Sequence, residues 1–286
     1  MTSRRRYGKI YPSRIRGATT IDNRAIGVFD SGLGGLTAVR ALRQAAPDEH
    51  VVYFGDTGRV PYGGRSPETI LSYTNEALAF LDRFNVKAVI VACGTASAVA
   101  LPQLKAWVGP PLFGVVEAAA RRAVAVSKNK RVGVIGTAAA IGSDAYPRAL
   151  RTFDDKCSFL SNPCPLLVPL VENGRIRPGD PVTQIVIREY MTPFKMIGID
   201  TLILGCTHYP LLSNLITAEL GANVTLVDAG REAALATLAW LRDQNALAGE
   251  KQSDKYYVSD NVPNFSVIAS LFMGVNIDSQ VELVRL

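Results

Sequence analysis

The sequence predicts an α/β fold, doubly wound, in two similar halves that face one another. Three observations predict it. Short apolar runs alternate with helical patterns along the chain, the order that gives parallel sheets covered by helices. Glycine-rich turns follow several of the runs, where a sheet rim would lie. One layout also occurs twice. Ala88-Val-Ile-Val-Ala-Cys93-Gly-Thr-Ala-Ser97 and Thr201-Leu-Ile-Leu-Gly-Cys206-Thr-His-Tyr-Pro210 each give an apolar strand, a cysteine, a threonine and then a helix start. Unbroken apolar runs are typical of parallel strands buried on both faces. Open α/β sheets bind ligands at the carboxyl ends of their strands, and both cysteines fall there.

Residues 25–29 form the first strand and end in Asp30-Ser-Gly-Leu-Gly-Gly35. A helical pattern from Leu36 follows, so the chain opens on a βαβ unit. The glycines permit a tight turn and close approach by a ligand, and the helix start offers free N–H groups. The dinucleotide fingerprint G-x-G-x-x-G fails here because position 37 is threonine. Strand 51–54 runs into an aperiodic loop over 55–64, the kind of rim loop that often carries function. Ser66-Pro67-Glu68 opens a helix to about residue 84, with Ser66 as cap and Pro67 in the first position. The first cysteine strand covers 88–92. Pro110-Pro111 breaks the chain before a strand over 112–116. Residues 131–136 start a second βαβ series with Thr137 at the strand end. The apolar run 166–171 leads to Glu172-Asn-Gly174. A helix over 181–196 precedes the second cysteine strand, 201–204. Helix 211–220, strand 224–228, helix 231–246, strand 256–258, helix 263–273 and strand 281–284 complete the chain.

The 286 residues are 48% hydrophobic and 20% charged, an ordinary globular composition with room for one large or two medium domains. No apolar run approaches the ~18 residues that span a membrane, and the basic N-terminus lacks the apolar stretch of a secretory signal. The net charge of +6 is local. Residues 1–24 hold Arg4, Arg5, Arg6, Lys9, Arg14, Arg16 and Arg24 against Asp22, so the remainder is neutral. This segment is expected to be a flexible basic extension, and the balanced remainder offers no basic face for nucleic acid. Four cysteines (Cys93, Cys157, Cys164, Cys206) show no C-x-x-C spacing, which argues against zinc or thioredoxin-like chemistry. They are expected to be reduced thiols in a cytoplasm. His50 and His208 are the only histidines.

Two strand-end thiols can be inert buried side chains, a nucleophile, or general bases. A helix N-terminus lowers a thiol pKa, which favours the reactive readings. Cysteine hydrolases pair one thiol with a histidine. Here two thiols are matched and only Cys206 has a histidine close by in sequence. Two matched bases suit a reaction that takes a proton from one face of a carbon and returns one to the other, as racemisation does.

Five stretches now read together. Asp30-Ser-Gly-Leu-Gly-Gly35, Asp56-Thr-Gly-Arg-Val-Pro-Tyr-Gly63, Ala92-Cys-Gly-Thr-Ala-Ser97, Val168-Pro-Leu-Val-Glu-Asn-Gly174 and Gly205-Cys-Thr-His-Tyr-Pro-Leu211 resemble, in order, the motifs of the glutamate racemases. The resemblance runs from about residue 25 to the C-terminus. It implies two doubly wound α/β domains facing each other across a central active-site cleft, one from residues 25–115 with 228–286 and the other from 116–227. It implies cofactor-independent and metal-free racemisation of glutamate, supplying D-glutamate for peptidoglycan. Cys93 would take the α-proton from D-glutamate and Cys206 from L-glutamate, with Asp30 assisting Cys93, and Glu172 with His208 assisting Cys206. Substrate contacts carried over are Asp30, Ser31, Pro61, Tyr62, Gly63, Gly94, Thr95, Thr137, Thr207 and His208. A cytoplasmic homodimer is implied, and a peptidoglycan-precursor effector is known among relatives with N-terminal extensions.

Two positions depart from the pattern. Gly94 stands where asparagine is usual, so a backbone N–H or water must replace that amide, or affinity falls. Gly58 stands where alanine is commoner. The alternatives are a related amino-acid racemase, such as one for aspartate, and a weakly active homologue that acts as a binding protein.

Overall fold

A computed structural model describes residues 21–104, 106–260, 265–277 and 280–286. Its strands form two all-parallel sheets. The first contains β1 (Ile26–Asp30), β2 (Val51–Gly55), β3 (Ala88–Val91), β4 (Leu112–Gly114), β9 (Lys255–Val258) and β10 (Val281–Leu283), in the order β10-β9-β2-β1-β3-β4. The second contains β5 (Arg131–Gly136), β6 (Ser158–Pro163), β7 (Thr201–Leu204) and β8 (Thr225–Asp228), in the order β6-β5-β7-β8. The inner strands β1, β3 and β7 are buried along their length, which is why they read as continuous apolar runs.

Each sheet reverses its strand order once beside a cysteine strand. In the first sheet β1 lies between β2 and β3; in the second β5 lies between β6 and β7. Such reversals open a crevice at the carboxyl ends of the strands. The register Phe29↔Val91 brings Asp30 and Cys93 to one rim. The register Ile135↔Leu204 brings Thr137 and Cys206 to the other.

The helices follow their signals. In α2 (Pro67–Asp82), Ser66 Oγ accepts from the Thr69 N–H and Pro67 holds the first position. Asp180 caps α8 (Pro181–Ile197), and Asp228 caps α10 (Ala229–Asp243). Helix α10 packs against α1 (Leu36–Ala45) and α4 (Val115–Val126), and α4 packs in turn on α6 (Ala145–Phe153). These helices tie the two sheets together behind the crevice.

Two expectations are revised, one strand was not foreseen, and one helix start falls outside the described residues. The strand expected over 112–116 stops at Gly114, and Val115 and Val116 begin α4. Ser97 Oγ accepts from the Val115 N–H at 2.9 Å, and both valines are buried on the helix, so packing overrides their β propensity. Strand β6 was not foreseen, because its sequence Ser-Phe-Leu-Ser-Asn-Pro is that of a half-exposed edge strand. The helix expected from 211 begins as a 3-10 turn over Tyr209–Leu212, before α9 (Ser213–Leu220). The last helix, α11, is Phe265–Met273, and the expected start at 263 lies outside the described residues.

The N-terminal extension also needs a new boundary. Residues 1–20 lie outside the described residues. Residues 21–24, expected to belong to it, are tied to the core. The Asp22 N–H donates to Leu247 O, Lys87 Nζ donates to Asp22 O at 2.7 Å, and Asn23 Oδ1 accepts from the Gly249 N–H at 2.9 Å. Lys87 also forms a buried ion pair with Glu49 at 2.7 Å.

Candidate active site

Cys93 follows β3 and caps α3 (Gly94–Val99). Its thiol donates to Ser31 Oγ at 3.2 Å, and its sulfur accepts from the Ala96 N–H at 3.5 Å. Burial pushes the thiol up to about 12, and the Asp30 carboxylate adds to the shift. This reverses the expectation that the helix start would lower it. Helix α3 has only six residues, and its N–H contact does not offset full burial beside a carboxyl group. Asp30 ends β1 and is itself buried. Its Oδ2 accepts from the Gly32 N–H at 3.0 Å, while Oδ1 has no hydrogen-bond partner among the described residues. Burial raises its pKa, against the charge of His208 and the N–H groups of Gly35, Gly32 and Ser31.

Cys206 follows β7, and its sulfur lies 3.8 Å from His208 Nδ1. His208 Nε2 lies 3.1 Å from Glu172 Oε1, and the ring meets Phe272 edge-on. Glu172 ends α7 (Leu167–Glu172), with its side chain 45% exposed. Burial alone would lower the His208 pKa. Its bonds to Cys206 and Glu172 outweigh that and hold it at about 10. The raised pKa places a positive charge on the ring beside the Cys206 sulfur.

The two rims touch. A Cβ built on Gly34 would lie 2.8 Å from Thr207 Cβ and 2.9 Å from His208 Nδ1; one built on Gly63 would lie 2.9 Å from Thr137 Cβ. The Thr95 and Thr137 hydroxyls meet at 2.8 Å across the same seam. Thr137 also caps α5 (Ala138–Gly142), accepting from the Ala140 N–H. Asp30, Ser31, Cys93, Gly94, Thr95, Thr137, Cys206, Thr207 and His208 are therefore gathered in one place. Pro61 is exposed, and Tyr62 is buried with its hydroxyl donating to Asp56.

Two residues were not foreseen. Asp56 is fully buried and accepts from Tyr62, Arg59 and Ser259, so it fixes the aperiodic loop. Its place in Asp56-Thr-Gly at the end of β2 was the available signal. Tyr146 is buried on α6, and its hydroxyl has no hydrogen-bond partner among the described residues. It stands against Gly205, and burial together with the charges of Cys206 and Cys93 raises its pKa. No sequence signal marked it.

Among the described residues, no group of three or more His, Cys, Asp or Glu side chains could hold a metal ion, and no helix is long and apolar enough to cross a membrane.

Comparison with known proteins bears on this arrangement. Residues 34–237 match the family described as Asp/Glu/Hydantoin racemase. A glutamate racemase from Geobacter metallireducens is 43% identical over 253 residues, covering 88% of this chain and 93% of the relative. The crystal structure of a glutamate racemase from Bacillus anthracis superposes with a TM-score of 0.87 at 37% identity, covering 93% of this chain and 98% of the other. The glutamate racemase of Francisella tularensis, solved in complex with D-glutamate, gives 0.84 at 35% identity, covering 92% and 98%.

Proposed function

The chain belongs to the Asp/Glu/Hydantoin racemase family, and on that basis we propose that it interconverts L- and D-glutamate by proton transfer between Cys93 and Cys206. The observation that carries this reading is the facing pair of strand-end thiols, one on each rim and each with its own partners. From L-glutamate, Cys206 takes the α-proton with the His208 imidazolium as its counter-charge, and Cys93, held protonated by burial, delivers a proton to the opposite face. From D-glutamate the two exchange roles. Asp30 presents an unpartnered buried carboxyl oxygen to the site, suited to a substrate ammonium. Glu172 orients His208, and Ser31 holds the Cys93 thiol. Thr95, Thr137, Thr207 and the N–H groups at Gly63 and Gly94 suit the carboxylates, with Pro61 and Tyr62 shaping the loop. The thiols supply both proton steps without a cofactor.

The same reading assigns residues 25–115 with 228–286 to one catalytic domain and 116–227 to the other. It places the enzyme in the cytoplasm as a homodimer, making D-glutamate for peptidoglycan, with a peptidoglycan precursor as effector. Turnover of L-glutamate in deuterium oxide tests the mechanism. Early D-glutamate should carry α-deuterium while unreacted L-glutamate keeps its protium. Deuterium appearing in unreacted L-glutamate at the same rate would rule out separate bases. Turnover of aspartate in place of glutamate would move the chain to another branch of the family.

A further inference from the structure

We propose that Ser259 is a positioning residue for the substrate: acting through Asp56, it holds the rim loop that presents Tyr62 and Gly63. This rests on the function and substrate contacts proposed above. Ser259 directly follows β9, the strand that returns late in the chain to pair with β2. Its N–H donates to Gly55 O at 3.1 Å. Asp56 directly follows β2, so the parallel pairing brings the two side chains to one rim although 203 residues separate them. Ser259 Oγ donates to Asp56 Oδ1 at 2.7 Å and accepts from the Gly58 N–H at 2.9 Å. One hydroxyl thus serves a buried carboxyl group and the backbone of the loop at once.

Asp56 passes the constraint on. Its other oxygen, Oδ2, accepts from Tyr62 Oη and from Arg59 Nε, the latter at 2.7 Å. Arg59 reaches on to Glu76 of α2, and its guanidinium lies 4.1 Å from the centre of the Tyr73 ring. Thr57 adds a second tie to the end of β9: its hydroxyl donates to Asp260 O and accepts from the Asp260 N–H at 2.9 Å. Tyr62 is buried, and its pKa is raised by burial, by the charge and hydrogen bond of Asp56 and, more weakly, by the charge of Cys93. The far end of the loop closes on the opposite rim, where a Cβ built on Gly63 would lie 2.9 Å from Thr137 Cβ. The loop is therefore tied to the first sheet at one end and set against the second at the other.

Removing the Ser259 hydroxyl takes a donor from Asp56 Oδ1 inside the fold and an acceptor from the Gly58 N–H. A buried polar group that loses its partner is costly, so the loop must shift until new partners are found. Tyr62 and Gly63 move with it. None of these bonds involves Cys93, Cys206 or His208, whose own partners stay in place. A contact made equally in the ground state and the transition state acts on KM, whereas a lost base acts on kcat. Ser259 should therefore act on KM.

The test compares wild type, Ser259→Ala, Ser259→Thr, Tyr62→Phe and the Ser259→Ala/Tyr62→Phe double variant. Racemisation of each glutamate enantiomer is followed by circular dichroism, and folding by thermal melting. The expected result is a KM raised about tenfold in Ser259→Ala with kcat within about threefold of wild type. Ser259→Thr, which keeps the hydroxyl, should restore KM. In the double variant KM should barely exceed that of the worse single variant, because both changes act on one network. A wild-type KM in Ser259→Ala would overturn the proposal, and a lowered melting midpoint beside that KM would mark a structural role alone. A fall in kcat at constant KM would overturn it too. So would a double variant whose KM change is the product of the two single changes, since Ser259 would then not act through Asp56 and Tyr62. If Ser259→Ala does not fold, Ser259→Cys, with a weaker hydrogen-bonding group of similar shape, takes its place under the same criteria. Failure of the wild-type chain to racemise any amino acid would instead overturn the proposed function itself.

Discussion

Cys93 and Cys206 hold equivalent places at their sheet rims but have different surroundings. Cys93 has a hydroxyl and a carboxyl group beside it, and burial holds it at about 12. Cys206 has an imidazolium beside it. Replacing either thiol by a serine hydroxyl removes a general base, at a cost of about 10²–10⁴-fold, so Cys93→Ser and Cys206→Ser should each lose racemisation. Chloride release from 3-chloroglutamate, which needs only one proton abstraction, should separate them. Cys93→Ser should keep it from L-configured 3-chloroglutamate and Cys206→Ser from the D-configured form; near wild-type racemisation by either variant would refute the two-base scheme. His208 adds a pH signature. The fold raises its pKa from 6.5 to about 10, so the stability it contributes is complete below 6.5 and lost as pH rises through about 10. Melting midpoints of wild type and His208→Gln should therefore differ most at about pH 6.5 and just below, and converge above about pH 10. A constant gap would mean that the ring is not charged in the fold. Tyr146 gives a third measurement. Its buried hydroxyl has no partner among the described residues, and an unsatisfied buried group costs about 1–3 kcal/mol. Tyr146→Phe should therefore melt no lower than wild type, and a clearly lower midpoint would reveal a partner for the hydroxyl.

At the scale of elements, what the sequence disclosed depended on where the information lay. Strands β3 and β7 were legible because both faces are buried and every position but Thr201 is apolar. The cap of α2 was legible because Ser66 and Pro67 act locally. Strand β6 was hidden because Ser158, Ser161 and Asn162 carry no strand signal, and it exists only through pairing with β5. The raised Cys93 thiol was misread because burial depends on the whole lobe, not on the turn that follows it. The bond from Ser259 to Asp56 was invisible for the same reason, since it joins residues 203 apart in sequence. The N-terminus shows where local charge misled. Arg24 reads as part of a basic tail, yet residues 21–24 dock on Lys87, Leu247 and Gly249. Deleting residues 1–20 should leave the melting midpoint within about 2 °C of wild type. Deleting 1–24 removes these bonds and strips a partner from the buried Lys87 ammonium. At about 1 kcal/mol for each lost bond, the midpoint should fall by about 4 °C or more. Equal midpoints for the two deletions would show that the docking contributes nothing.

At the scale of the molecule, two crevices, each opened by a strand reversal, close on one another, and the chemistry lies in the seam. Neither sheet supplies a complete site, since Asp30, Ser31 and Cys93 belong to one rim and Thr137, Cys206 and His208 to the other. The chain leaves the first sheet after β4, builds the whole second sheet, and returns for β9 and β10. Synthesis on a ribosome runs in that order. The second sheet is complete once β8 has emerged. Strand β2, however, stays an open edge until β9 arrives to pair with it, and an unpaired edge invites association with other chains. Nascent chains halted between β8 and β9 should thus protect the second sheet from protease while the first is still cut. The last stretch of translation then finishes the half of the enzyme that was begun first.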